Sequence, residues 1–181
     1  MRYNPQPTIQ NEFVKIQPLT KDDFETLFAV ASDPLIWEQH PNKNRYQRAE
    51  FENYFKGAIE SGGAFLISDR STGQVIGSTR FYDLNITEKS ILIGYTFIAR
   101  SHWGSGYNPA LKKLLLNHAF ELLDTVYFHV GAVNIRSQKA MEKLGAVKIG
   151  ELDVAYFGEP IKSNLVYKIE KKTGPITNFT T

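Results

Sequence analysis

The stretch "SILIGYTFIARSHWGSGYNPALKKLLLNHAF", residues 90–120, carries the reading of the fold. Its first part, "SILIGYTFI" (90–98), is rich in β-branched and aromatic residues and predicts a strand. The apolar spacing that follows predicts a helix over roughly 109–123. Between them stand Gly104, Gly106, Asn108 and Pro109. Asn108 is a favoured N-cap and Pro109 a favoured first helical residue. The two glycines permit positive φ and close approach of another molecule to the backbone. A helix N-terminus offers unpaired N–H groups and the positive end of a dipole, so the junction suits phosphate oxygens. A tight strand-to-helix turn, with glycine serving geometry alone, is the competing reading. No Gly-Lys-Ser/Thr closes the turn as in a P-loop, and the third glycine of a dinucleotide fingerprint is missing.

Outward from this junction the chain reads as one mixed α/β domain. "FVKIQPL" (13–19) alternates as a strand, and Thr20 with Asp23 marks the start of a helix that Pro34 ends. A second helix fits 47–63. The strands "AFLISD" and "QVIGSTRFYD" form a hairpin across "RSTG". After the long helix come a strand in "TVYFHVGA", a helix in "IRSQKAMEKLG", and the strands "VKIGELDVAYFG" and "NLVYKIEKK". The order is βααβββαβαββ, a mostly antiparallel sheet flanked by helices. Residues 1–12 are expected as a loose arm, 13–171 as the domain and 172–181 as a frayed tail.

Composition narrows the function classes. The 181 residues suffice for one full-sized core. There is no cysteine, which removes disulfides, thiolate nucleophiles and zinc–thiolate sites, and no metal site is expected. The net charge of +2 is too small to point to nucleic acid. No apolar run approaches a membrane span, and the polar start "MRYNPQPTIQNEF" lacks a signal-peptide core, so a cytoplasmic protein is expected.

A second strand-to-helix unit strengthens the phosphate reading. In "VGAVNIRSQKAMEKLGAVKIGE" (130–151), Asn134 precedes a helix whose inward face is Ser137, Ala140, Met141 and Leu144. Gly145 suits its C-terminal cap, and Arg136 and Lys139 lie three apart on a more exposed side. Read alone, this unit is also a plain cap with solvated charges.

The paired motifs "WGSGYNPALKKLLLNHAF" and "NIRSQKAMEKLGAVKIGE" resemble the GNAT superfamily of acetyl-CoA-dependent N-acetyltransferases, nearest to its ribosomal-protein N-terminal acetyltransferase branch. That branch shows W-G-x-G-Y-A and N-x-x-S-x-x-x-x-E-K-x-G, and the resemblance spans roughly 12–171. It implies acetyl transfer from acetyl-CoA to a primary amine, a protein N-terminus or a small molecule, by direct transfer through a tetrahedral intermediate. It implies that backbone groups at Phe97 and Ile98 meet the pantetheine arm. The turn of His102, Trp103, Gly104, Ser105, Gly106, Tyr107 and Asn108 would hold the pyrophosphate, and Asn134, Arg136 and Lys139 would complete the cofactor site. Pro109 cannot donate an N–H, a departure from the family pattern.

Acyl transfer needs a proton acceptor for the amine, donors for the oxyanion and a partner for the leaving thiolate. The usual tyrosine position on the later helix is Met141, and the branch's usual glutamate is Leu92. Ser137 and Asn134 are therefore the candidates at the sulfur, and His129 is the candidate base, with filling of the sheet face as its alternative. His118 lies on the apolar stripe and reads as a core histidine. Gly94 in mid-strand suggests a bulge that opens the sheet. The acceptor is expected between the first two helices and the last hairpin, with Trp37, Glu38, Tyr82 and Asp83 as candidates. A monomer or homodimer is expected. A non-catalytic acyl-CoA-binding or regulatory module on the same fold, and a nucleotide-phosphate binder, remain as alternatives.

Overall fold

The computed structural model describes residues 3–172. Its strands are β1 (Ile9–Gln10), β2 (Val14–Pro18), β3 (Ala64–Asp69), β4 (Val75–Asn85), β5 (Ser90–Ile98), β6 (Thr125–Gly131), β7 (Val147–Ala155) and β8 (Ile161–Glu170). Its α-helices are α1 (Phe24–Ala31), α2 (Arg48–Glu60), α3 (Tyr107–Ala119) and α4 (Ile135–Leu144). The strands form one sheet in the order β1-β2-β3-β4-β5-β6-β8-β7. Within it β5 and β6 are parallel, and every other neighbouring pair is antiparallel. This is the mixed α/β, mostly antiparallel architecture expected from the element order.

Period-two alternation splits the sheet's apolar residues between two cores. Phe65 and Ile67 of β3 join Leu111 and Leu115 of α3 on one face. Their neighbours Ala64 and Leu66 join Leu27 of α1 and Phe51 of α2 on the other. His118 is a core histidine as expected, its Nε2 2.8 Å from the Asn4 carbonyl.

Three expectations change. Residues 3–12 are not a loose arm: β1 pairs with β2, Tyr3 is buried, and the Gln6 amide donates to the Ala64 carbonyl. A short polar segment with two prolines lacks periodicity, so only the surface it covers reveals its order. The α3 helix starts at Tyr107, not Pro109, because Gly106 adopts the left-handed conformation (φ 87°) and takes the N-cap position. Asn108 and Pro109 then lie in the first turn, where no intrahelical N–H bond is lost to proline. The helix also ends at Ala119, short of 123, at a turn in which the Leu123 N–H reaches back to Ala119. The expected frayed tail lies, from 173 onward, outside the described residues.

Candidate active-site cleft

The parallel β5–β6 pair holds only from Ser90 to Leu92 and from Thr125 to Tyr127. Beyond Leu92 the strands part. β6 stays paired with β8 along its whole length, and β5 stays with β4, so the gap opens between two supported edges. A bulge marks the parting: Arg80 faces Gly94 and Ser78 faces Phe97, which leaves one extra residue on β5. The left-handed residue there is Tyr95 (φ 52°), not Gly94. A non-glycine residue in that region costs about 1–2 kcal/mol. Tyr54 Oη donates to the Tyr95 carbonyl at 2.6 Å, and the Arg80 guanidinium lies 3.8 Å from the ring centroid, which together hold the kink.

The parted strands form the wall of a cleft of about 730 Å³. At one end is the glycine turn, with Gly104 at φ 70° and Gly106 at φ 87°. An Asp69 hub fixes this turn from below. It accepts from Tyr107 Oη at 2.9 Å and from the Ser71 N–H and hydroxyl at 2.7 Å, and lies 3.2 Å from His102 Nε2. These bonds, the Ser71 hydroxyl foremost, hold the Asp69 carboxyl far below its ordinary range. Tyr107 is therefore an anchor whose side chain points away from the cleft, and Ser105 also lies outside the lining. Gly104, Gly106, His102, Trp103 and Asn108 line it.

Two features of this end differ from expectation. The Ile98 carbonyl, expected to meet the pantetheine arm, accepts the Trp103 indole N–H at 2.8 Å. Arg136 is not a free surface cation. Its guanidinium lies over the Trp103 ring at 4.0 Å and donates to the Ile36 carbonyl at 3.1 Å, while its backbone N–H donates to Gln39. Lys139 is exposed at the cleft edge, as expected.

In the middle stand the three catalytic candidates. Asn134 caps α4, its Oδ1 accepting the Ser137 N–H at 3.1 Å, and Gly145 closes the helix in the left-handed conformation (φ 81°), both as the sequence implied. Ser137, Met141 and His129 line the same space. Burial lowers the pKa of His129, an effect the nearby Asp83 charge partly offsets. The structure adds Lys112. It is 6% exposed, donates to Thr96 Oγ1 at 2.9 Å and lies 5.5 Å from the Phe128 ring centroid. Burial pulls its ammonium down to about 7. A lysine on the apolar stripe with Leu111, Leu115 and Leu116 was the signal for it.

The far end is lined by residues other than the four acceptor candidates. Trp37 is fully buried, its indole N–H on the Ala31 carbonyl at 2.7 Å, so it is core. Glu38 and Asp83 are exposed and outside the lining, and Tyr82 stands behind Tyr95, edge-on at 5.2 Å. The lining here is Gln39, His40, Arg45, Tyr95 and Tyr156. Burial, aided by the charges of Arg45 and Arg136, lowers His40 to about 3 and keeps it neutral. Arg45 makes a bidentate pair with Glu159, with both bonds 2.9 Å and both side chains almost fully buried. Together with the Asn53 amide on the Phe157 carbonyl, this pair ties the loop after α1, α2 and the β7–β8 turn into one wall.

Among the described residues no helix is long and apolar enough to cross a membrane, and no cluster of three or more His, Asp or Glu is placed to hold a metal. An extended thiol ester with a phosphorylated tail fits the space. The cleft is long, its glycine turn presents backbone at a helix N-terminus, and its lining carries cations without carboxylates.

Solved structures share this architecture. A probable GNAT acetyltransferase from Chromobacterium violaceum superposes with a TM-score of 0.80 at 20% identity, covering 93% of this chain and 88% of its own. An inferred ribosomal-protein-serine acetyltransferase from Vibrio cholerae gives 0.71 at 18% identity, covering 93% and 99%. The spermidine N-acetyltransferase of Vibrio cholerae, in complex with CoA and spermine, gives 0.67 at 19% identity, covering 88% and 96%. At these identities they show the fold. The profile of the acetyltransferase (GNAT) domain matches residues 14–147, which contain β2 through α4 and so the parted strands, the glycine turn and the Asn134 cap. The chain belongs to the GNAT acetyltransferase family.

Proposed function

We propose that the chain is an acetyl-CoA-dependent N-acetyltransferase that acts on a primary amine. The observation that carries this reading is the single cleft running from the Gly104–Gly106 turn to the point where β5 and β6 part. Acetyl-CoA supplies the acyl group and the thiolate leaving group. The turn amides from Gly104 to Tyr107 would hold its pyrophosphate, with Lys139 and Lys143 at the edge for further phosphate charge. The arm would read the β5 edge beyond the bulge. With the Ile98 carbonyl engaged by Trp103, its contacts fall to the remaining edge groups near Thr96 and Ile98.

A backbone N–H at the bulge would face the developing oxyanion, and Ser137 Oγ, with the Asn134 side-chain amide, would hydrogen-bond the sulfur. His129, neutral near pH 7 because burial lowers its pKa, would take the amine's proton directly or through water. The inferred ribosomal-protein-serine acetyltransferase supports a protein N-terminus as acceptor, and the spermine complex supports a small amine. Thiol release from acetyl-CoA across a panel of amines is the test. Tight binding of acetyl-CoA without release from any amine would instead mean a non-catalytic acyl-CoA module.

A further inference from the structure

We infer that the acceptor is a small amine that also carries a carboxylate, and that the carboxylate is bound at the Arg45 end of the cleft, with Arg80 behind the Tyr95 ring of that wall. This inference rests on the reading of the protein as an N-acetyltransferase.

The charge of the cleft is the first argument. Its lining contains five cationic side chains, Arg45, Lys112, Arg136, Lys139 and Lys143, and no aspartate or glutamate. Cations at the glycine-turn end are accounted for by coenzyme phosphates. Arg45, the lining cation at the far end, gives two of its three guanidinium nitrogens to Glu159 and keeps the third. A polyamine bound there would bring two or more ammonium groups into a space with no free carboxylate to receive them, and uncompensated buried charge is costly. Glu159 is the acid paired with Arg45, and both its oxygens are occupied by that pair.

The second argument is Arg80. It is 4% exposed, and its Nε is buried without a hydrogen-bond partner. Among the described residues its one hydrogen bond is a long one, from Nη2 to the Tyr54 carbonyl at 3.4 Å, and no carboxylate pairs with it. The rings of Tyr95 and Tyr54 face its guanidinium at 3.8 and 5.7 Å, and burial lowers its pKa. Arg45 lies within the same aromatic group, 5.2 Å from Tyr54 and 5.7 Å from Tyr156. Two arginines and one glutamate leave this buried group with one positive charge in excess. The surrounding tyrosines do not cancel it, because burial raises their pKa values, that of Tyr156 to about 12.

The third argument is geometry. Arg45 gives Nε and Nη2 to Glu159, which leaves Nη1 without a partner on a side chain that lines the cleft. A guanidinium edge beside the phenols of Tyr95 and Tyr156 is a fit for a carboxylate. Arg45, Tyr95, Tyr156 and His129 line one continuous cleft, so a carboxylate at Arg45 and an amine at His129 would belong to one small molecule. A strap joining the loop to the hairpin would need Arg45 alone and leaves Arg80 unexplained.

The test uses the full chain, acetyl-CoA and thiol release. Amino acids whose amine and carboxylate stand at increasing separation are compared with their own carboxamides, and spermidine and spermine are run in the same panel. Carboxamides have the less basic amine, so with rates expressed per neutral amine any preference for the free acid comes from the carboxylate. The expected kcat/KM ratio of acid to amide is about tenfold or more. Arg80→Gln should lower that ratio several-fold, with acetyl-CoA affinity kept as the check on folding. Equal rates for acid and amide, or polyamines as the best acceptors, overturn the inference and leave the acetyltransferase standing. Binding of acetyl-CoA with no release from any amine overturns the proposed function, and this inference with it.

Discussion

Replacing Lys112 by methionine should make the protein more stable at neutral pH, by an amount that shrinks as pH rises. The lysine's buried side chain reaches towards Thr96 and the Phe128 ring, and a methionine of similar length can replace its stem. Its ammonium is the cost. The drop from an ordinary 10.5 to about 7 comes from burial. At about 1.36 kcal/mol per pH unit, the penalty is on the order of 4 kcal/mol at pH 7. Loss of the bond to Thr96 Oγ1 offsets about 1 kcal/mol of the gain, and Thr96 keeps its contact with Thr79 at 2.8 Å. The sign follows from proton counting. Between pH 7 and 10.5 the unfolded chain binds a proton at this site that the folded chain does not, so wild-type stability rises with pH across that window. Urea unfolding at pH 7, 8, 9 and 10 reads the effect. The variant should start roughly 3 kcal/mol ahead and fall to level with, or below, wild type by pH 10. Tyrosines that titrate near pH 10 are common to both proteins and cancel in the difference. A gap that does not change with pH would refute the reasoning, because it would mean that Lys112 folds with its charge fully compensated.

Gly106→Val should fold yet lose acetyl-CoA affinity by tenfold or more in a direct titration, since its φ of 87° excludes a β-branched residue and its Cβ would meet Phe13 at 3.3 Å; unchanged affinity in a folded variant contradicts the phosphate role of the turn. Ser137→Ala should lower kcat about tenfold or more with little change in acetyl-CoA affinity, and equal kcat removes the serine from the sulfur site. His129→Gln should abolish an acidic limb of kcat/KM that lies below pH 6.5, because burial lowers this histidine and protonation on going down in pH removes the base. A variant profile that overlays wild type makes the histidine packing only. Lys139→Ala should weaken cofactor binding by a few-fold at low salt and by less at high salt, as an exposed charge contact requires.

Local chemistry made much of this protein legible in its sequence. Apolar periodicity set the element order, Asn134 and Gly145 marked the ends of α4, and glycines around Trp103 marked the strand-to-helix turn. Each of these depends on residues within a few positions of one another. Even there a tertiary contact shifted the detail: Gly106, not Asn108, caps α3, and the bulge near Gly94 puts its left-handed residue at Tyr95, where Tyr54 and Arg80 hold it. The far end of the cleft was legible only as a region. Trp37 and Glu38 drew attention as aromatic and acidic loop residues, yet burial made the first core and solvent took the second. What lines the wall instead is Arg45 with Glu159, partners 114 residues apart, beside an Arg80 that folding left without an acid. Lys112 has the same origin: its spacing is visible in the chain, but its depressed pKa exists only once the sheet and α3 have closed over it. Spacing and capping are encoded locally, whereas desolvation and charge pairing depend on which distant surfaces meet, and only the tertiary structure decides that.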